Sequence, residues 1–338
     1  MRFGFGHVPA EDYRRHVRLV QVAEELGFDY AWIPDQTFHR DPVPLVAAMA
    51  LATSRIRIGL AVVNPYTRHP AMVARTAGTL DEIAGGRFRL GIGAGNRKEL
   101  LQPLGLDEGD AARRCREMAE IVRAFVGGGR VDYQGVHFRT SQAGLDFQAR
   151  PDLEIYIAGR GPMVLQAAGA VADGAIIGAL CTPAGIEYAL EQIGRGASSV
   201  GRDISHMDIV SWVTCHITAD RAIAVDELRP SVAHIIGGAP LSVLEAVGLP
   251  LELMRQIKGV YRSQGIPKAA RLVTTDCVDR LAIVGDANEC ARRIRELELA
   301  GVTQFAYLMP PGNTRQHEQR LRAFASAIFP LVATEAAT

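Results

Sequence analysis

Little in this chain points to a membrane, a metal or a nucleic acid. None of its apolar runs approaches the roughly 20 residues that a bilayer-spanning helix requires. Lysine plus arginine and aspartate plus glutamate both number 37, so the formal charge is zero and no global field draws a polyanion such as nucleic acid. The five cysteines (Cys115, Cys181, Cys215, Cys277, Cys290) contain no CxxC pair and read as reduced, mostly buried thiols of a cytoplasmic protein. His7, His39, His69 and His234 form no HxH or HxxxH pair, which argues against a catalytic metal. A GxSxG elbow is missing too, and this disfavours covalent hydrolase chemistry. The opening Met1-Arg2-Phe3-Gly4-Phe5-Gly6 carries no signal-peptide apolar core and enters a strand at once.

What is present is apolar and regular. Hydrophobic residues make up 48% of the 338, enough for a sizeable core. Strand-like and helix-like segments alternate: Arg2–Gly6, then a helix over Glu11–Leu26 with Val17, Val20, Ala23 and Leu26 at helical spacing. Tyr30–Ile33, Val43–Ala52, Ile56–Val63, Ala71–Ile83, Phe88–Ile92 and Ala111–Phe125 continue the rhythm. Around Gly135 the segment 131–147 reads as an inserted hairpin. Ile155–Ala158, Pro162–Val171, Ala175–Gly178, Pro183–Ser199 and Asp208–Ile217 restore the pattern. Residues 220–285, broken by Gly237-Gly238, Pro240, Gly248, Pro250, Gly265 and Pro267, form a helical excursion. A helix from Asp286 to Ala300, the strand Gln304–Leu308 and the helix Arg315–Leu331 close the chain. Eight strands with as many helices predict one α/β domain over 1–338, a (β/α)8 TIM barrel with insertions. A doubly wound open sheet is the competitor, and it leaves the eightfold count unexplained.

In a barrel the chemistry sits at the C-terminal ends of the strands. The third strand runs into Gly59-Leu60-Ala61-Val62-Val63-Asn64-Pro65-Tyr66-Thr67-Arg68-His69-Pro70, where polar groups gather as a buried strand emerges. The fourth ends in Gly91-Ile92-Gly93-Ala94-Gly95-Asn96, weak as a dinucleotide fingerprint but suited to backbone passing close to a flat ligand. The fifth ends in Ala158-Gly159-Arg160-Gly161-Pro162, with proline in the first turn of the next helix. Free amides there, with Arg160 beside them, make an anion site, or else a plain tight turn. The sixth ends at Gly178.

Taken in order, these strand ends resemble the bacterial-luciferase-like superfamily of flavin or coenzyme F420 oxidoreductases. Within it, the likeness is to the F420-dependent methylenetetrahydromethanopterin reductase group. It is carried by Gly27–Asp35, Ile58–Pro70, Gly85–Gly93, Tyr156–Pro162 and Ala172–Ile177, and resumes at Gly285–Leu308. The resemblance implies a luciferase-like barrel and an F420-dependent hydride transfer to an unidentified small molecule. An FMN-dependent monooxygenase is the alternative on the same fold, and a non-catalytic ligand-binding barrel is the alternative of another class. It further implies that Asp35 contacts the ring and that Ala61-Val62 is a non-proline cis peptide supporting the ring's face. Asn64, Ala94, Gly95 and Asn96 would line the ring and its side chain. Arg160, Gly161, Met163 and Val164 would hold the phosphate, with Ala158, Gly159 and Gly178 completing the cofactor set.

The acid-base positions of the family are Gly6, Gln36 and Asn96 here, so His7 and His39 stand as replacement candidates. The apolar helices Val43–Ala52 and Ala71–Ile83 suggest a homodimer or a higher homo-oligomer.

Overall fold

In the first strand Phe3 and Phe5 alternate with Gly4 and Gly6, and this period of two decides which side chains reach the barrel interior. The structure is a computed structural model that describes residues 1–8, 10–36, 38–95, 100–107 and 109–333. Its first half runs β1 (Arg2–Gly6), α1 (Tyr13–Glu25), β2 (Tyr30–Ile33), α2 (Pro42–Leu51), β3 (Arg57–Val63), α3 (Pro70–Ile83), β4 (Phe88–Gly93) and α4 (Ala111–Val126). A hairpin of β5 (Val131–Gln134) and β6 (Arg139–Ala143) follows. Next come β7 (Ile155–Gly159), α5 (Pro162–Val171), β8 (Gly174–Gly178), α6 (Pro183–Ser198) and β9 (Asp208–Ile217). The helices α7 (Arg221–Gly238), α8 (Leu241–Ala246), α9 (Leu251–Gln264), α10 (Ile266–Ala270) and α11 (Thr275–Leu281) lead to β10 (Ile283–Gly285). The chain finishes with α12 (Ala287–Leu299), β11 (Gln304–Leu308) and α13 (Thr314–Ala333).

Eight parallel strands close into a barrel in the order β1-β2-β3-β4-β7-β8-β9-β11, with β11 returning to β1 and β8 paired to β9. The sequence expectation of a (β/α)8 barrel is met. It differs in one strand: β10 pairs with the far end of β9, Ile283 opposite Cys215 and Gly285 opposite Ile217. Three residues are too few to show a period, so this strand was hidden in the stretch read as helical. The hairpin pairs Tyr133 with Thr140. Its turn is organised by Glu117 of α4, whose carboxylate accepts from the amides of Val136, His137 and Phe138 at 2.8, 2.9 and 3.1 Å. All five cysteines are buried and unlinked.

The barrel interior is filled from below. Arg2 donates to the Tyr30 hydroxyl at 3.0 Å and pairs with Asp208 at 2.7 Å, and the Tyr156 hydroxyl donates to Asp208 at 2.9 Å. Above them the fully buried Trp32 stacks on Tyr30 and donates its indole N–H to Gln304 at 2.8 Å. Phe3 and Phe5 turn the other way, Phe3 against Phe324 of α13 and Phe5 against Phe28.

The same parity turns His7, one residue beyond β1, away from the interior. Its Nε2 lies 2.5 Å from Nδ1 of His16 on α1, and its ring meets His317 of α13 edge-on. Burial, reinforced by the neighbouring imidazoles, pulls the His7 pKa down to about 3, and burial lowers His16 and His317 as well.

Helices α5 and α6 cross at glycines. A Cβ on Gly169 would lie 1.9 Å from the Ile193 carbonyl oxygen, and one on Gly196 would lie 1.9 Å from that of Gln166. Gly196→Ala should therefore lose about 1–3 kcal/mol of stability by overpacking, read as a lower urea midpoint at unchanged slope. The histidine cluster gives a pH signature. A folded pKa below 6.5 means that the unfolded chain binds a proton which the fold refuses, so the stabilisation is complete above pH 6.5. It is lost as pH falls, by about 1.4 kcal/mol per pH unit for each neutral histidine. Urea midpoints measured from pH 7 to pH 4 should fall in the wild type and fall less steeply in His7→Asn.

Candidate active site

A cavity of about 1360 Å³ opens at the C-terminal end of the barrel, between the strand ends and a wall made by α7 and α9. It exists because the interior side chains become small toward this end: Gly93, Gly159 and Gly178 end three of the strands that frame it. The Ala61–Val62 peptide is cis, and the β3–β4 register shifts between Leu60 and Val63. In consequence two successive residues, Ala61 and Val62, both face the cavity, which regular alternation forbids. Gly93 of β4 accommodates that bulge, since a Cβ there would lie 2.7 Å from the Val62 methyl group.

Ala94, Gly95, Ala158, Gly159, Arg160, Val164 and Gly178 line the same cavity. Gly161 caps α5 without any side-chain hydrogen bond, so the first-turn amides of Met163 and Val164 have no acceptor within the helix. The Met163 side chain itself is exposed. Arg160 stands beside this helix start with its Nη1 buried and unbonded. Burial lowers its pKa, and no carboxylate offsets that effect.

Four candidates lie elsewhere. Asn64 is buried, but its side-chain oxygen accepts from the amides of Tyr66 and Thr67 and from the Thr67 hydroxyl, each at 3.0 Å, so it shapes its own turn. Asp35 follows the outward parity of Ala31 and Ile33 and sits 3.6 Å from Arg68, while its neighbours Pro34 and Gln36 line the cavity. Burial raises the Asp35 pKa against the pull of Arg68. His7 points into the helical layer, between α1 and α13, and His39 is exposed on the loop after β2. Neither lines the cavity. Asn96 lies outside the described residues.

Several lining residues had no signal in the strand-end motifs. Trp212 comes from β9, and His234, Lys258, Tyr261 and Arg262 come from α7 and α9. The Tyr261 hydroxyl lies 3.2 Å from His234 Nδ1. The Lys258 ammonium donates to the carbonyls of Ile236, Gly237 and Ala239 at 3.1, 3.1 and 2.5 Å, closing the C-terminus of α7. Burial, then the nearby Arg262, lowers its pKa. No described lining residue is a carboxylate, whereas Arg160, Lys258 and Arg262 are cations. Such a pocket favours an anionic group on its ligand. Among the described residues no group of three or more His, Cys, Asp or Glu side chains is placed to hold a metal.

This geometry has clear relatives. The 5,10-methylenetetrahydromethanopterin reductase of Methanopyrus kandleri is 32% identical over 332 residues, covering 93% of this chain and 94% of that protein. The reductase of the same name from Archaeoglobus fulgidus is 34% identical, covering 95% and 97%. The solved structure of the coenzyme F420-dependent tetrahydromethanopterin reductase from Methanopyrus kandleri superposes with a TM-score of 0.85 at 30% identity, covering 97% of this chain and 98% of that one. A profile of the family described as luciferase-like monooxygenase matches residues 1–304. With a match of that extent, and a barrel whose strand ends carry the cavity, the chain belongs to the luciferase-like monooxygenase family.

Proposed function

We propose that this protein is a coenzyme F420-dependent oxidoreductase that moves a hydride between the cofactor and a small organic molecule. Arg160 is the observation that carries the reading. A guanidinium with a buried, unbonded Nη1, next to an uncapped helix start, needs an anion to complete it. The phosphate of F420 supplies one, and the solved reductase described as coenzyme F420-dependent is 30% identical along nearly the whole chain.

Bound F420 supplies the hydride chemistry, which is strictly a two-electron transfer. The chain supplies the rest. The amides of Met163 and Val164 and the Arg160 guanidinium fix the anionic end. Ala61 and Val62 would meet one face of the ring, and Gly93 and Gly95 would let the backbone approach its edge. Ala61, Val62, Ala94 and Ala158 would shield the reacting carbon from water. The accompanying proton falls to His234, the one imidazole among the described lining residues. The Tyr261 hydroxyl, 3.2 Å from Nδ1, orients that ring. His7 and His39, the candidates read from the sequence, are not among the described lining residues.

Two outcomes test the reading. Arg160→Ala should raise the Kd for F420 by about tenfold or more, as expected for losing a charge-assisted hydrogen bond, with Arg160→Lys intermediate. Tight FMN binding together with undetectable F420 binding by the wild type would instead favour the monooxygenase chemistry. His234→Gln should lose the pH-dependent limb of kcat near neutrality while leaving the F420 Kd within about twofold, measured by single-turnover rates from pH 5.5 to pH 9. An unchanged limb removes His234 from the proton path.

A further inference from the structure

Residue 6 can only be glycine here. A Cβ on Gly6 would lie 2.5 Å from Cη2 and 2.6 Å from Cζ2 of the Trp212 indole. The six-membered ring of Trp212 thus fills the volume that a side chain at the end of β1 would take, and the same indole lines the cavity.

Its placement on the circle of strands matters as much. Counting round the barrel, β9 stands four strands from β3 in either direction, so Trp212 faces the Ala61–Val62 bulge across the mouth. Val8 beyond β1, Ile176 of β8 and Leu308 of β11 complete an apolar sector around the indole. No described lining residue is a carboxylate, and the cations are Arg160 at the start of α5, two strands round from β9, and Lys258 and Arg262 on α9.

We propose that Trp212 is the substrate platform, and that the substrate is a flat, conjugated hydride acceptor without a cationic group, held between this indole and the ring supported by the Ala61–Val62 bulge. The inference rests on the F420 reading and names the substrate class for that same site. Aromatic surface packs best against planar π-systems, and such pairs gain about 0.5–1.5 kcal/mol beyond simple burial. A polyol is disfavoured because its hydroxyls would lose water against an apolar sector that returns no hydrogen bonds. An amine is disfavoured because the described lining residues include three cations and no carboxylate. Trp212 therefore sets specificity by shape and polarity, and Gly6 is the residue that lets it do so.

The test is calorimetric titration of the F420-loaded protein, with the cofactor oxidised, using two ketones that differ by two hydrogens. One is the conjugated 4-phenylbut-3-en-2-one and the other its saturated form, 4-phenylbutan-2-one. The wild type should bind the conjugated ketone about threefold to tenfold more tightly. Trp212→Leu should reduce that preference to under twofold, and Trp212→Phe should keep most of it. Both variants should retain the wild-type circular dichroism spectrum and an F420 Kd within twofold. Equal affinity for the two ketones, detectable binding of neither, or a preference that survives Trp212→Leu overturns the proposal. So does a loss of F420 affinity in Trp212→Leu, which would place the indole in the cofactor pocket. Failure of the wild type to load F420 sinks the functional reading itself, and it is seen before any ketone is added.

Discussion

An eight-stranded barrel must be packed at one end and open at the other to hold a ligand, and the packing of Trp32 sets where that change occurs. Its indole lies at the barrel axis with Tyr30 stacked on one side at 5.7 Å and Tyr156 edge-on at 5.1 Å. Gly59 is bare because a Cβ there would lie 2.2 Å from the indole. Below this layer, Arg2, Asp208, Tyr156 and Thr303 satisfy one another in a polar plug. Above it, glycine and alanine leave the space that becomes the cavity. A buried ion pair of this kind needs all its partners, so the plug ties three strands and the loop before a fourth into one register. The strand ends above inherit that register.

The cavity is then divided by what each sector contributes. From β3 and β4 come backbone and small side chains, which suit the face and edge of a ring. From β7 and α5 come amides and an arginine with no carboxylate partner among the described residues, which suit phosphate. From α7 and α9 come a histidine, a tyrosine and two cations, and from β9 a single indole. The crossing of α5 on α6 through Gly169 and Gly196 fixes the helix start against the sheet. The anion site is therefore positioned by helix packing as much as by its own loop.

The barrel was legible because its signals are local and repeated: strand-length apolar runs, glycine after helices, proline in first turns. The Ala61-Val62 position, Gly93, Gly95 and the Gly159–Val164 segment were legible through their place at strand ends and through the family likeness. His7 and Asp35 are not among the residues lining the cavity for one reason, parity. Phe3 and Phe5 already show that odd residues of β1 face the helices, and Ala31 and Ile33 show the same for β2, so the residue two places on follows them. Asn64 looked like a ligand contact because it is polar and buried at a strand end, yet a short amide at that point can also satisfy its own turn. His234, Tyr261 and Trp212 carried no motif. Two of them lie in helices that approach the barrel mouth only through tertiary packing, and the third reads as an ordinary core residue of a long strand.

Lys258 has a bearing on how such a protein can diversify. Its ammonium holds the end of α7 through three backbone carbonyls, and a carbonyl is the same whatever side chain its residue bears. The side chains on the wall of the cavity can then drift without loosening the clasp that seats it. Mutational freedom is thereby concentrated where a new substrate would be met, while the barrel that holds the cofactor is left unburdened by the change.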